Sequence, residues 1–492
     1  MNPRLALLLL PALLGGCPAT QECPQGEVGC DGACVALASD ARNCGACGNA
    51  CGPGFYCSEG ACTCAPGTSE CAGRCADLSS DPAACGSCAV ACGPAEVCSL
   101  GGCAGTCDGG LADCDRACVD LGSDRFHCGA CDVACSPGQS CDGGTCRAVF
   151  VACFATDDVR TVSPDLAWAG PARSAGDGPI SLAPLGDRVF AASSISHSLA
   201  ALPLGAGAPA ELLFPDARDL ENLAAHGGLL YVSNSGGGTL LAIEPGTGAV
   251  IDEVGFGDTT VNPRGVAFVG DVAYVALYGV DETSGGQEVA VVDFAGIGAC
   301  TAPPCGEVVR RISVLAGADE PGLPFPSRAV AVDGRVYVTL ANLRKGDLGY
   351  YTDPAGDGKL AVIDARSADE LTFVTLPGCR NPGGLALRGT TIWVACGAFD
   401  TQAILPVETS SGSAVPADPV PTPSPTPGAF AFVPGTIAFC GDMGYVSDQW
   451  SGDVIRFDPA DPASQSGLTV CPLNAPPEEF GWAWAADLAC AP

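Results

Sequence analysis

From Ala148 onward, short runs rich in valine, alanine and aromatic residues alternate with glycine, proline and aspartate. Apolar runs of this length, bounded by turn residues at regular spacing, predict strands. One run recurs seven times, as VFVAC, VFAAS, LYVSN, AYVAL, VYVTL, IWVAC and GYVSD. Its second letter is always aromatic: Phe150, Phe190, Tyr231, Tyr274, Tyr337, Trp393 and Tyr445. A large ring at the same place in every run marks one recurring core position. Most of these runs follow another that ends in a turn, as PRGVAFVGD does before VAYVAL. A third run comes after them, such as TLLAIEP or KLAVIDA, and often a fourth, such as AVIDEVGF.

Four consecutive antiparallel strands per unit of about 40 to 60 residues is the pattern of a propeller blade. Seven units over residues 148–492 predict a seven-bladed β-propeller. The first run, VFVACF, has no inner strand before it, whereas the final FGWAWAADLACAP is an inner strand with nothing after it. The C-terminal strand therefore completes the first blade. On that reading Cys153 and Cys490 lie on neighbouring strands and a bridge between them locks the ring. Cys300 with Cys305 and Cys379 with Cys396 are the next candidate pairs, leaving Cys440 with Cys471 by elimination. Residues 343–358 and the proline-rich 413–428 read as insertions, the second as a projecting loop prone to polyproline II conformation.

Before Ala148 the apolar pattern gives way to cysteines. Three copies of C-x6-C-x3-C-x9-C-x2-C-x3-C-x5-C-x4-C occupy residues 23–62, 64–103 and 107–146. Gly45, Gly86 and Gly129 recur inside the three Cys-x-x-Cys pairs. Modules of about forty residues with few large apolar groups need covalent or metal staples. The spacing alone fits four bridges per module, two zinc sites, or reactive pairs. The even count and an oxidising compartment favour bridges, and no βαβ pattern surrounds the pairs as a redox motif would require. The predicted class is thus mainly β: a propeller preceded by three small, disulfide-rich, loop-dominated repeats.

The compartment follows from the N-terminus. Arg4 precedes an apolar run from Leu5 to Leu14, the length of a secretory signal core and too short to span a bilayer. The run ends in LGGC, which resembles the lipobox of bacterial lipoproteins. The resemblance implies a signal peptide over residues 1–16, a lipid on Cys17 and a tether over 17–22. With Pro18 next, it implies a cell-envelope protein of the outer membrane or cell surface, attached by lipid alone. A net charge of −33, with Lys345 and Lys359 the only lysines, excludes nucleic acid as a partner.

Two further resemblances cover most of the chain. CVDLGSDRFHCGAC, Cys118 to Cys131, resembles cysteine-rich repeats of exported proteins from myxobacteria and related bacteria. It implies stalk or interaction modules. LLYVSNSGGGTLLAIEPGTGAVIDEV, Leu229 to Val254, resembles the YVTN and NHL groups of β-propellers.

Candidate chemistry is sparse. Of the three histidines, His127 lies in the third cysteine module and His197 and His226 are far apart in blade order, which excludes a multi-histidine metal centre. No nucleophile elbow is present. Asp353 and Asp357 in TDPAGDGK form a weak calcium candidate, lacking the acidic alternation of an EF-hand loop. Arg264, Arg328, Arg380 and Asn381 enter inner strands at corresponding places in three blades, where they can converge on a carboxylate or other anion. The alternative is that each arginine bonds acidic groups or carbonyls of the adjacent blade. Glu478 and Glu479 enter the last inner strand and can oppose them. These features favour a non-enzymatic surface lipoprotein presenting a propeller to a protein, glycan or small anionic ligand, without a cofactor other than calcium. The alternatives are an exported propeller enzyme, lactonase-like or quinone-dependent dehydrogenase-like, and a structural envelope component.

Overall fold

A computed structural model describes residues 28–491, apart from 31–32, 36, 38–41, 53–54, 59, 65–67, 136–138, 165, 167–169, 171, 205–210, 214–216, 284–285, 301, 348, 399–400, 411–412, 423–433 and 472–484. Cys17, the signal segment, Glu478 and Glu479 lie outside the described residues. No helix among the described residues is long and apolar enough to cross a membrane. The chain divides into two compact units, Met1–Ala76 and Asp77–Pro492.

The first unit consists of short hairpins held by bridges. Val28–Cys30 pairs with Ala33–Val35, Phe55–Ser58 with Ala61–Cys64, and Ser69–Cys71 with Arg74–Ala76. Bridges join Cys30 to Cys47, Cys44 to Cys57, Cys51 to Cys62 and Cys64 to Cys75. In the second unit the same connectivity recurs: Cys85–Cys98 and Cys128–Cys141 repeat Cys44–Cys57, and Cys114–Cys131 repeats Cys30–Cys47. Cys92–Cys103 and Cys135–Cys146 repeat Cys51–Cys62, and Cys107–Cys118 repeats Cys64–Cys75. The cysteines are thus staples.

The repeated Cys-x-x-Cys glycine has a steric cause. Gly45, Gly86 and Gly129 all have φ between 72° and 77°, and a Cβ on them would sit 2.4 to 2.5 Å from the carbonyl oxygen of Gly60, Gly101 or Gly144. Neither the backbone conformation nor the approach admits a side chain.

Seven sheets follow, with five strands in the first and sixth blades and four in the others. In the second to seventh blades the chain runs from an inner strand outward through antiparallel neighbours, and these inner strands are Pro179–Leu185, Leu220–His226, Pro263–Val269, Pro326–Val332, Pro382–Arg388 and Pro434–Cys440. The first blade takes its inner strand from the C-terminus: Ala485–Ala491 pairs with Thr145–Cys153, which pairs on its other side with Asp158–Val162. The propeller closes as the sequence predicts. Thr145–Cys153 also belongs to the third cysteine module, since its start pairs with Ser140–Asp142. No linker separates module from blade.

The seven recurring aromatics are all buried. Their inner-strand partners are Ala489, Ala183, Ala224, Ala267, Val330, Ala386 and Ala438, small residues that let a ring fill the space. Each ring faces the next blade, so the core forms seven separate apolar seams, one per blade interface. Phe150 lies in the seam of blades one and two with Leu182 and Val189, and Tyr445 in that of seven and one with Val149 and Val151.

Two expectations are corrected. Cys153 bonds Cys471, and Cys490 bonds Cys440, in place of Cys153 with Cys490 and Cys440 with Cys471. The register is the reason: Cys490 lies opposite Val149, while Cys153 lies opposite Ala485 at the other end of the strand. Both bridges nevertheless tie the seventh blade to the first. Cys300–Cys305 and Cys379–Cys396 pair as proposed. The described part of the proline-rich segment, residues 413–422, does not simply project, because Val415–Pro416 and Val420–Pro421 pair with Thr401–Glu408 as the outer edge of the sixth blade. An outermost strand tolerates proline because one side of it needs no ladder donors.

Candidate functional site in the propeller channel

All seven inner strands line one cavity on the propeller axis, with a volume of about 210 Å³. Each inner strand begins with an irregular register against its second strand, seen between Pro179 and Ser181, Leu220 and Asn222, and Pro326 and Ala329. Aligned on the buried aromatics, the third residue of each inner strand falls at one level: Asp487, Ser181, Asn222, Gly265, Arg328, Gly384 and Thr436, from the first blade to the seventh. The residue after each is apolar, Leu488, Leu182, Leu223, Val266, Ala329, Leu385 and Ile437, and these also line the cavity. The channel wall therefore carries a polar ring, while the apolar side chains that follow it pack into the seven seams between blades.

Two members of the polar ring are charged. Asp487 is held by three donors: Oδ2 accepts from the Leu182 amide at 2.8 Å and the Ser181 hydroxyl at 3.1 Å, and Oδ1 from the Leu488 amide at 2.9 Å. Burial pushes its carboxyl above the ordinary aspartate value, while the Arg328 charge and these hydrogen bonds pull it back only in part. Ser181 also accepts from the Leu223 amide at 3.1 Å, which links the first three blades around the carboxylate. Arg328 is fixed through its backbone, its amide donating to Thr339 Oγ1 at 3.0 Å. Its guanidinium makes no hydrogen bond or ion pair within 4.0 Å among the described residues.

Of the four residues proposed as an anion cluster, only Arg328 lines the cavity. Arg264 stands one place before the ring position Gly265, lies over the Tyr278 ring at 4.3 Å and reaches Glu221 of the third blade at 3.5 Å. Arg380 stands four places before Gly384 and is exposed. Asn381 takes a left-handed conformation, φ 47°, and donates to the Gly397 carbonyl at 3.4 Å. Corresponding loops thus deliver the arginines to different levels, and convergence fails. Asp487, Ser181, Asn222 and Thr436 escaped sequence reasoning, because the ring shares a position and no common residue type.

The calcium candidates sit apart from any three-ligand group of acidic, histidine or cysteine side chains among the described residues. Asp353 pairs with Arg344 at 3.7 Å on a hairpin formed by Leu343–Lys345 and Tyr351–Pro354, and the Asp357 carbonyl accepts from Asn342 at 2.8 Å. That hairpin is fastened by the Lys345–Glu282 contact at 2.8 Å, while Lys359 pairs with Asp319 at 2.8 Å.

The class defined by fold and site is a disulfide-rich chain with a seven-bladed propeller and a charged axial cavity. Residues 14–65 match the model of the Stigma-specific STIG1-like protein family. No curated protein matches the sequence. Similar solved structures include a 6-phosphogluconolactonase, described as putative, from Bacteroides fragilis, at 11% identity and TM-score 0.47, covering 70% of this chain and 98% of that one. A streptogramin B lyase is similar at 12% identity and TM-score 0.45, with 70% and 98% covered. AztD from Citrobacter koseri is similar at 11% identity and TM-score 0.43, with 70% and 98% covered.

Proposed function

We propose that the chain is an exported, lipid-anchored binding protein whose propeller takes a ligand in its axial channel. The observation that carries this reading is the cavity with Arg328 and Asp487 at one level of its wall. A guanidinium that makes no hydrogen bond or ion pair among the described residues and lines a small channel suits an anionic group. The lipid belongs to Cys17, the setting is the outer membrane or cell surface, and the cysteine modules precede the propeller as covalently reinforced segments. Native mass spectrometry of the full-length chain purified from its own membranes tests both parts. The expected result is acyl mass on Cys17 and a co-purifying small molecule that is lost from Arg328→Ala. A bare N-terminus refutes the anchor, and a ligand retained by Arg328→Ala refutes the channel.

An exported enzyme is the second reading, favoured by one observation. A carboxyl of raised pKa facing a cavity, as at Asp487, suits proton transfer. Turnover abolished by Asp487→Asn would distinguish it from binding alone.

A further inference from the structure

Along the polar ring, Arg328 is open on both sides. Its neighbours at the same level are Gly265 of the fourth blade and Gly384 of the sixth, which carry no side chain. Packing accounts for both glycines: a Cβ on Gly265 would lie 2.5 Å from the Ser327 carbonyl oxygen, and one on Gly384 would lie 2.5 Å from that of Gly435. Beyond them come Asn222 of the third blade and Thr436 of the seventh, which also line the cavity. The hydroxyls of the ring are engaged, Ser181 with Asp487 at 3.1 Å and Thr436 with Ser447 at 3.2 Å. Asn222 is half-buried, and its side-chain amide makes no hydrogen bond among the described residues. Arg328 and Asn222 are thus the ring members whose side-chain donors are left to the channel.

Resting on the channel-binding reading, we propose that the ligand is a single sugar acid, its carboxylate on Arg328 and a hydroxyl on Asn222. A guanidinium only donates, and its planar fork matches a carboxylate with two parallel bonds. A primary amide both donates and accepts, and a hydroxyl reciprocates both. The wall selects against other bodies. Because the apolar side chains beside the ring turn into the seams, a hydrocarbon chain gains little in the channel, whereas a hydroxylated one keeps its hydrogen bonds. A dianion such as sulfate brings one charge more than Arg328 neutralises, in a chain of net charge −33. Size agrees, because about 210 Å³ lies below the roughly 300 to 1,000 Å³ of sites for drug-sized ligands, which limits the guest to one sugar unit.

Isothermal titration of the full chain with D-galacturonate, D-galactose, cyclohexanecarboxylate and sulfate tests the assignment. Galactose keeps the hydroxyls without the carboxylate, and cyclohexanecarboxylate keeps the carboxylate on a ring without hydroxyls. Saturable galacturonate binding is expected, with each of the other probes at least about tenfold weaker on the wild type. Asn222→Ala, with melting checked beforehand, is expected to weaken galacturonate at least about threefold and leave cyclohexanecarboxylate unchanged, whereas Arg328→Gln weakens both. Cyclohexanecarboxylate or sulfate binding as tightly as galacturonate overturns the sugar-acid assignment while leaving Arg328 as an anion site, so the channel reading survives. Galactose binding as tightly as galacturonate overturns the role given to the carboxylate, and with it the assignment. No saturable binding of any probe also overturns the assignment. The channel reading then stands or falls separately on whether Arg328→Ala loses the co-purifying molecule. Because the probes act on unaltered protein, a variant that fails to fold does not remove the test.

Discussion

Closure of a propeller is its weakest topological point, and here two bridges reinforce it, of which Cys153–Cys471 closes the longer loop. Its sequence separation is 318 residues, against 5 for Cys300–Cys305. In the chain-entropy model, removing a bridge restores freedom to the unfolded chain that grows with the logarithm of the loop, giving about 6 kcal/mol for the first and about 2 kcal/mol for the second. Measured effects reach about 5 kcal/mol at most, so the first figure is an upper bound. Cys153 and Cys471 are also buried, and truncating both leaves space worth about another 1 kcal/mol. With an unfolding entropy of about 2.1 cal/mol/K per residue, a loss of about 5 kcal/mol lowers the melting temperature of a propeller this size by about 7 °C. The double variants Cys153→Ala/Cys471→Ala and Cys300→Ala/Cys305→Ala are compared by calorimetry of the full chain at several scan rates. The ring-closing pair should drop at least twice as far. Equal shifts would refute the view that the bridge acts by limiting the open ring, and would leave closure to the strand pairing of Ala485–Ala491 and the Cys440–Cys490 bridge.

Other outcomes follow from features at smaller scale. Gly129→Ala forces a left-handed residue into a carbonyl oxygen, a strain of about 1 to 3 kcal/mol, and peptide mapping should find Cys128 and Cys131 mispaired in a fraction of the oxidised protein. Trp393→Ala empties the seam between blades six and seven, where the ring packs 5.0 Å from Phe457, and should cost about 3 to 5 kcal/mol by denaturant unfolding. Asp487 binds its proton more tightly folded than unfolded, so the native state takes up protons between the ordinary aspartate pKa and the raised one, and stability declines as pH rises through that interval. Melting curves of Asp487→Asn against wild type should therefore shift in the variant's favour as pH rises from about 4. A pH-independent difference would contradict a raised pKa. Arg328→Gln should extend the interval upward, since the guanidinium holds the carboxyl down.

The propeller was legible because its core position repeats with a chemical identity: seven aromatics in seven runs announce seven seams. The cysteine modules were legible in the same way, through spacing. The channel ring was not, for its members range from aspartate to glycine and share only a register. Arg264 and Arg328 look equivalent in PRG and SRA, yet one residue of offset turns the first toward Tyr278 and Glu221 and the second into the cavity. The same limit misassigned Cys490: adjacency of strands was readable, but which end of the strand each sulfur occupied was not.

The strand Thr145–Cys153 gives the molecule a mechanical character. Tension applied to the chain before the third module enters the propeller along this strand, parallel to the ladders it makes with Ala485–Ala491 and Asp158–Val162. Such a load must shear several hydrogen bonds at once and cannot peel them singly, and behind them the force meets the covalent Cys153–Cys471 link at the strand's far end. A tug from the N-terminal side thus reaches the seventh blade through sulfur and loads the ladder beside the axial cavity, whose Asp487 and Leu488 sit opposite Ala152 and Val151 of the pulled strand.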